Sequence, residues 1–213
     1  MRSVFRAAKS GVMAPTRMVW LPGAYHTARD FLDAGFPEAV LLRQLPLDLT
    51  FIDLELRFLG DAAALQGLRT DVVLPARESG VSVWLAGVSL GGFIALDYAA
   101  AHPGDLDGLC LLAPYLGNRM LTAEIAAAPD LNAWEPGELA EADAERRIWR
   151  YVKTRVAGSP PLYLGFGHDD RFSAAHKLLA ATLPPAAVHV IAGGHEWRTW
   201  TSLWGNFLDS HFT

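Results

Sequence analysis

The sequence predicts an α/β fold in which a mostly parallel sheet of about six strands is flanked by helices. Three observations carry the prediction. Short runs rich in Val, Ile, Leu and aromatic residues are bounded by Gly or Pro, and the longer segments between them repeat apolar residues every three or four positions. Most of the short runs are apolar at consecutive positions, which implies strands buried on both faces.

The elements follow in order. Residues 17–21 form a strand that ends at Pro22-Gly23, and residues 49–54 form a second. Residues 81–86, 109–113, 162–166 and 188–192 supply four more. Between them, residues 28–45, 61–76, 90–101, 171–183 and 197–208 have helical spacing, with Pro37 breaking or kinking the first. In the second, Leu65, Leu68, Val72 and Val73 recur on one face, as a helix lying on a sheet requires. Residues 115–159 are different, because about forty-five residues separate two strands where one crossover helix suffices. Residues 123–128 and 138–156 read as helices there, the latter acidic at its start and basic toward its end, in the sense that suits the helix macrodipole. This stretch is expected to be a lid or side wall on a single domain spanning 1–213.

Composition bounds the function. The chain has 213 residues, of which 51% are hydrophobic and 19% charged, so it can bury a substantial core without a staple. The single cysteine, Cys110, cannot pair within the chain, and no Cys/His cluster has zinc spacing. The net charge of -5 provides no broad basic field for nucleic acid. No apolar run approaches the roughly 20 residues that span a bilayer. Arg2, Arg6 and Lys9 make the start basic, but Lys9 and two small polar positions interrupt residues 7–15, where a signal peptide needs an unbroken apolar core. A cytoplasmic location is expected, with neither nucleic acid nor membrane as a partner.

The most informative residues are Gly87-Val88-Ser89-Leu90-Gly91-Gly92, which end one expected strand and open the next helix. Such a turn holds its serine in a strained conformation, and glycines two positions to either side let strand and helix approach closely enough to expose the hydroxyl. The plainer reading is a serine that caps the helix. A serine hydroxyl is a weak nucleophile at neutral pH, so the chemistry needs a base and an acid that orients it. Both occur downstream at strand ends, in Gly167-His168-Asp169-Asp170 and in Gly193-Gly194-His195-Glu196-Trp197. Open α/β sheets carry their sites at the carboxyl ends of strands.

With the order Ser, Asp, His, the chain resembles the α/β-hydrolase superfamily from about residue 18 to residue 207, in a small, nearly capless form. The resemblance implies a three-layer sandwich with Ser89 as nucleophile, His195 as base and Asp170, three residues after Gly167, as acid. Asp169 remains the competitor. It also implies an oxyanion hole built from the amide of Leu90 and that of Ala24 or Tyr25, in a turn where Pro22 stands in place of the usual histidine. Tyr25, Tyr115 and Trp197 are candidate substrate-binding residues, with His26, Leu116, Met120 and Trp200 near the same loops. Among the other histidines, His102 suits a helix C-terminus and His168 a turn. His176 reads as a helix-surface residue, His189 as a strand residue and His211 as tail. The expected function is hydrolysis of a small carboxylic ester through an acyl-enzyme, with no metal or organic cofactor. A thioester on the same machinery, or ligand binding without turnover, are the alternatives.

Overall fold

In the computed structural model, which describes residues 1–53, 62–140, 142–155 and 160–212, the strands join one seven-stranded sheet. They are β1 (Ser3–Arg6), β2 (Thr16–Leu21), β3 (Leu47–Ile52), β4 (Ser82–Val88), β5 (Gly108–Leu112), β6 (Leu162–Gly167) and β7 (Val188–Ile191), in the order β1-β3-β2-β4-β5-β6-β7. Every pair is parallel except β1 with β3. The six expected strands are present, and β1 is the addition. It escaped the sequence pattern because it is four residues long, largely exposed, and paired only along one edge.

Alternation along β6 sets the two helical layers. Tyr163 and Gly165 face one side, where the Tyr163 hydroxyl donates to the Leu203 carbonyl of α9 (Trp197–His211). Phe166 faces the other, where its ring lies 4.9 Å from that of His176 on α8 (Ser173–Ala180). On the α9 side, Trp20 of β2 meets the rings of Phe31, Phe36 and Trp204, drawing in α1 (Ala28–Asp33) and α2 (Phe36–Leu42). The expected helix over 28–45 is thus two helices, separated at Gly35 with φ 78°, and Pro37 sits in the first turn of the second.

Residues expected to form one helix over 61–76 are α3 (Ala62–Leu68), a π-helical turn (Arg69–Val73) and α4 (Leu74–Glu78). The expected ends at Leu54, Asp61 and Val156 fall outside the described residues. Helix α5 (Leu90–Ala101) is buried along nearly all its length. The 115–159 excursion contributes α6 (Arg119–Ala127), capped by the Asn118 side chain, and α7 (Ala144–Thr154), whose Asp143 cap sets a start six residues later than expected. Ile148, Trp149 and Val152 of α7 are buried, and the Trp149 indole donates to the Leu116 carbonyl. Through these residues α7 packs on the body of the protein.

Candidate active site

Ser89 sits between β4 and α5 with φ 52° and ψ -114°, a conformation that a residue with a side chain rarely adopts. The flanking glycines make it attainable. A Cβ on Gly87 would lie 2.2 Å from the Gly91 backbone, and one on Gly91 would lie 2.0 Å from the Leu21 carbonyl oxygen. Backbone therefore occupies the space that side chains would need. The Ser89 amide donates to Leu112, and its carbonyl accepts from Gly92, Phe93 and Tyr115. These four bonds hold the strained residue in place.

Two further turns are fastened to each other at the ends of β6 and β7. The amide of His168 donates to Ile191 and that of Asp169 to Gly193, while the Gly193 carbonyl occupies the place a Gly167 Cβ would take. Gly193 itself has φ 126°. Across this junction His195 Nδ1 lies 2.7 Å from Asp170 Oδ2, and His195 Nε2 lies 2.9 Å from Ser89 Oγ. The Asp170 side chain is fully buried, and its other oxygen accepts from the Phe172 amide at 2.8 Å. Burial by itself would raise the Asp170 pKa, but the bonds from His195 and Phe172 outweigh it and hold the carboxyl below its ordinary value. Asp169 points elsewhere: it is largely exposed and bonded to its neighbour His168. Of the two candidate acids, Asp170 is the one that meets His195.

Beside Ser89 opens a cavity of about 820 Å³, mostly apolar in its walls. Ala24, Tyr25, Ser89 and Leu90 form one end, and Phe93, Tyr115 and Phe172 bring aromatic rings. Asp143, Ala144 and Glu145 contribute the wall from α7. The Tyr115 hydroxyl donates to Glu145 at 2.7 Å, and the Asn118 amide and side chain bond the other Glu145 oxygen. Tyr115 belongs to this wall, whereas Tyr25 is 88% exposed at the rim with φ 64°. Trp197 is not among the lining residues. It packs with His26, Phe31, Phe36 and Trp200 in the aromatic layer behind His195, where ring–ring contact draws it. His26 packs there too, between Trp197 and Trp200.

Two histidines depart from expectation. His211 ends α9 and stacks on Phe207. His176 is wholly buried on the inner face of α8, with Nε2 2.8 Å from the Pro114 carbonyl oxygen. Its segment, Ser-Ala-Ala-His-Lys, carries little apolar contrast, so periodicity gave no signal of which side faces inward.

The arrangement has the chemistry of acyl transfer: a hydroxyl within hydrogen-bond reach of an imidazole, itself held by a buried carboxylate. The amides of Leu90, Ala24 and Tyr25 make no bond to an acceptor among the described residues, so Leu90 and either of the two candidates in the turn after β2 are available as donors.

No family model matches the sequence, and no curated protein matches it. Solved structures do. A ferulic acid esterase is similar at a TM-score of 0.67 and 16% identity, over 97% of this chain and 96% of that one. A lidless α/β serine hydrolase from Xanthomonas campestris is similar at 0.62 and 16%, over 98% and 86%. A fluorophosphonate-binding serine hydrolase from Staphylococcus aureus is similar at 0.63 and 13%, over 94% and 86%. The chain has the α/β-hydrolase fold.

Proposed function

We propose that this chain is a serine hydrolase that cleaves small, neutral carboxylic esters through an acyl-enzyme. The observation that carries the reading is the pair of contacts at 2.9 and 2.7 Å linking Ser89, His195 and Asp170 at the mouth of the apolar cavity. Ser89 Oγ attacks the ester carbonyl while His195 Nε2 takes its proton. Asp170, ionised because its hydrogen bonds favour the carboxylate, fixes the tautomer that leaves Nε2 free to accept. The amides of Leu90 and Ala24 stabilise the oxyanion, a role in which one donor is worth about a hundred- to a thousandfold in rate. His195 returns the proton to the departing alkoxide. Water, activated by the same imidazole, then releases the acid.

The lining is largely apolar, with the rings of Phe93, Tyr115 and Phe172, and supports an uncharged acyl group, while Arg171, Asp143 and Glu145 are its charged members. A thioester would pass through the same steps, and relative rates on matched esters and thioesters rank the two. We place the protein in the cytoplasm, consistent with its one buried, free thiol. Among the described residues no helix is long and apolar enough to cross a membrane.

A fluorophosphonate probe tests the reading directly. Wild type should be labelled and should turn over p-nitrophenyl butyrate, and Ser89→Ala should do neither. A folded wild type that does neither would leave a ligand-binding scaffold and remove the hydrolase.

A further inference from the structure

We propose that His176 is a positioning residue, which braces the turn carrying Asp170 against the elbow carrying Ser89 by holding the carbonyl of Pro114. The inference rests on the hydrolase reading above. His176 lies on α8, the helix that begins three residues after Asp170, and none of its surface is exposed. A carbonyl oxygen can only accept, so the Nε2 that stands 2.8 Å from Pro114 carries the proton. Nδ1 is then a bare acceptor, buried with no partner among the described residues. Burial brings the pKa of this histidine down to about 4, against a weaker opposing pull from Asp170, so the ring is neutral at physiological pH.

An apolar side chain would fill this site without leaving Nδ1 unpaired. What the imidazole adds is the bond to Pro114, and the surroundings of Pro114 explain its use. Ala113 has φ 47°, in the left-handed region that residues other than glycine rarely enter. Its amide is held by the Gly165 carbonyl at 2.7 Å. Pro114 packs so close to Gly92 that a Cβ there would lie 2.7 Å from the proline ring. The next amide, that of Tyr115, donates to the Ser89 carbonyl at 2.8 Å. Three consecutive residues are thus tied to β6, to α8 and to the elbow. A strained turn persists only where its surroundings over-determine it.

The other end of the brace is equally defined. Phe172 and Ser173 donate their amides to the side chain and the carbonyl of Asp170, and the His176 amide donates to Phe172. One short helix therefore connects the acid to the nucleophile without passing through His195. The Ser89–His195 distance is fixed from both sides, and an error of about 1 Å there is enough to lose about a hundredfold in rate.

The test compares His176→Leu, His176→Asn and His176→Gln with wild type, each normalised to the sites titrated by fluorophosphonate. Leucine removes the donor and asparagine is too short to reach Pro114, so both should lower kcat by about a hundredfold while KM stays within twofold. Glutamine, which can present an amide donor near the Nε2 position, should recover most of the loss. A merely structural role would lower the melting temperature and the number of titratable sites but leave turnover per site unchanged, and that result overturns the proposal. Should the leucine and asparagine variants both fail to fold, the His176 Nε2–H proton resonance of wild type decides. It should move when Ser89 is phosphonylated, and an unmoved signal overturns the brace. If wild type neither labels nor hydrolyses the ester, the hydrolase reading fails and takes this one with it; active wild type with unimpaired variants sinks the brace alone.

Discussion

Arg147 on α7 grips Asp97 on α5 through two nitrogens, 2.7 and 2.9 Å from the two carboxylate oxygens. Asp97 is almost wholly buried, so this pair fastens the cavity wall to the helix that leaves Ser89. Removing one partner of such a pair leaves the other desolvated, at a cost of about 3–5 kcal/mol when both are buried. Arg147 keeps about a quarter of its surface in solvent, which moderates the loss. Asp97→Ala should therefore destabilise the protein by about 2–4 kcal/mol in urea unfolding. It should also raise KM for the ester, because Ala144 and Glu145 lie one turn from the lost anchor. An unchanged unfolding midpoint would show that the wall is held by its other contacts.

Asp169 and Asp170 are adjacent and chemically identical, yet only Asp170 reaches His195. Asp170→Asn should lower kcat by about ten-thousandfold, since an amide favours the wrong imidazole tautomer. Asp169→Asn should stay within about twofold of wild type, as surface substitutions commonly do. Steady-state rates on one p-nitrophenyl ester check both, and a reversed order would transfer the acid's role to Asp169.

A methyl group at Gly91 would sit 2.0 Å from the Leu21 carbonyl oxygen, which is backbone and cannot rotate away. Gly91→Ala should abolish fluorophosphonate labelling, and should either reduce soluble yield or lower the unfolding midpoint steeply. Gly104 provides the contrast, since nothing lies within 4 Å of a Cβ there. Its φ of 93° nevertheless makes alanine strained, so Gly104→Ala should cost about 1–2 kcal/mol and leave labelling intact. Normal labelling of Gly91→Ala would mean the elbow tolerates a wider strand–helix separation.

His176 also makes stability depend on pH. The unfolded chain takes up a proton on this side chain near pH 6.5, whereas burial delays uptake in the folded protein to about pH 4. The unfolded state binds more protons throughout that window, so stability is intact above about pH 6.5 and falls as the pH drops toward 4. The loss is on the order of 3 kcal/mol. Asp170, whose folded pKa is lowered, adds a loss only at still more acid pH, below its ordinary value of 3.8. Urea unfolding of wild type and His176→Leu between pH 7 and 4.5 should show a shallower slope in the variant. Identical slopes would place the acid sensitivity on other groups.

Local sequence carried much of this. The six strands expected from apolar runs all belong to the sheet: β3, β5 and β6 are buried throughout and cannot hide their composition, and the less buried edge strand β7 is still apolar at Val188, Val190 and Ile191. The elbow was legible in Gly87, Ser89 and Gly91, since a positive φ and close backbone packing restrict which residues can serve. Chain order and strand ends were enough to bring Ser89 and His195 forward as partners. The short edge strand β1 was not legible, because its residues bury little and its pairing is supplied wholly by β3.

The sequence by itself determined where apolar faces lie and where the backbone must turn sharply, since both are written in residues close along the chain. Only the tertiary structure decided that Asp170 rather than Asp169 meets His195, that Trp197 lies behind the imidazole, and that His176 turns inward to Pro114. Each of those depends on a contact between segments dozens of residues apart, whose geometry is set by packing and by hydrogen bonds that leave no periodic trace.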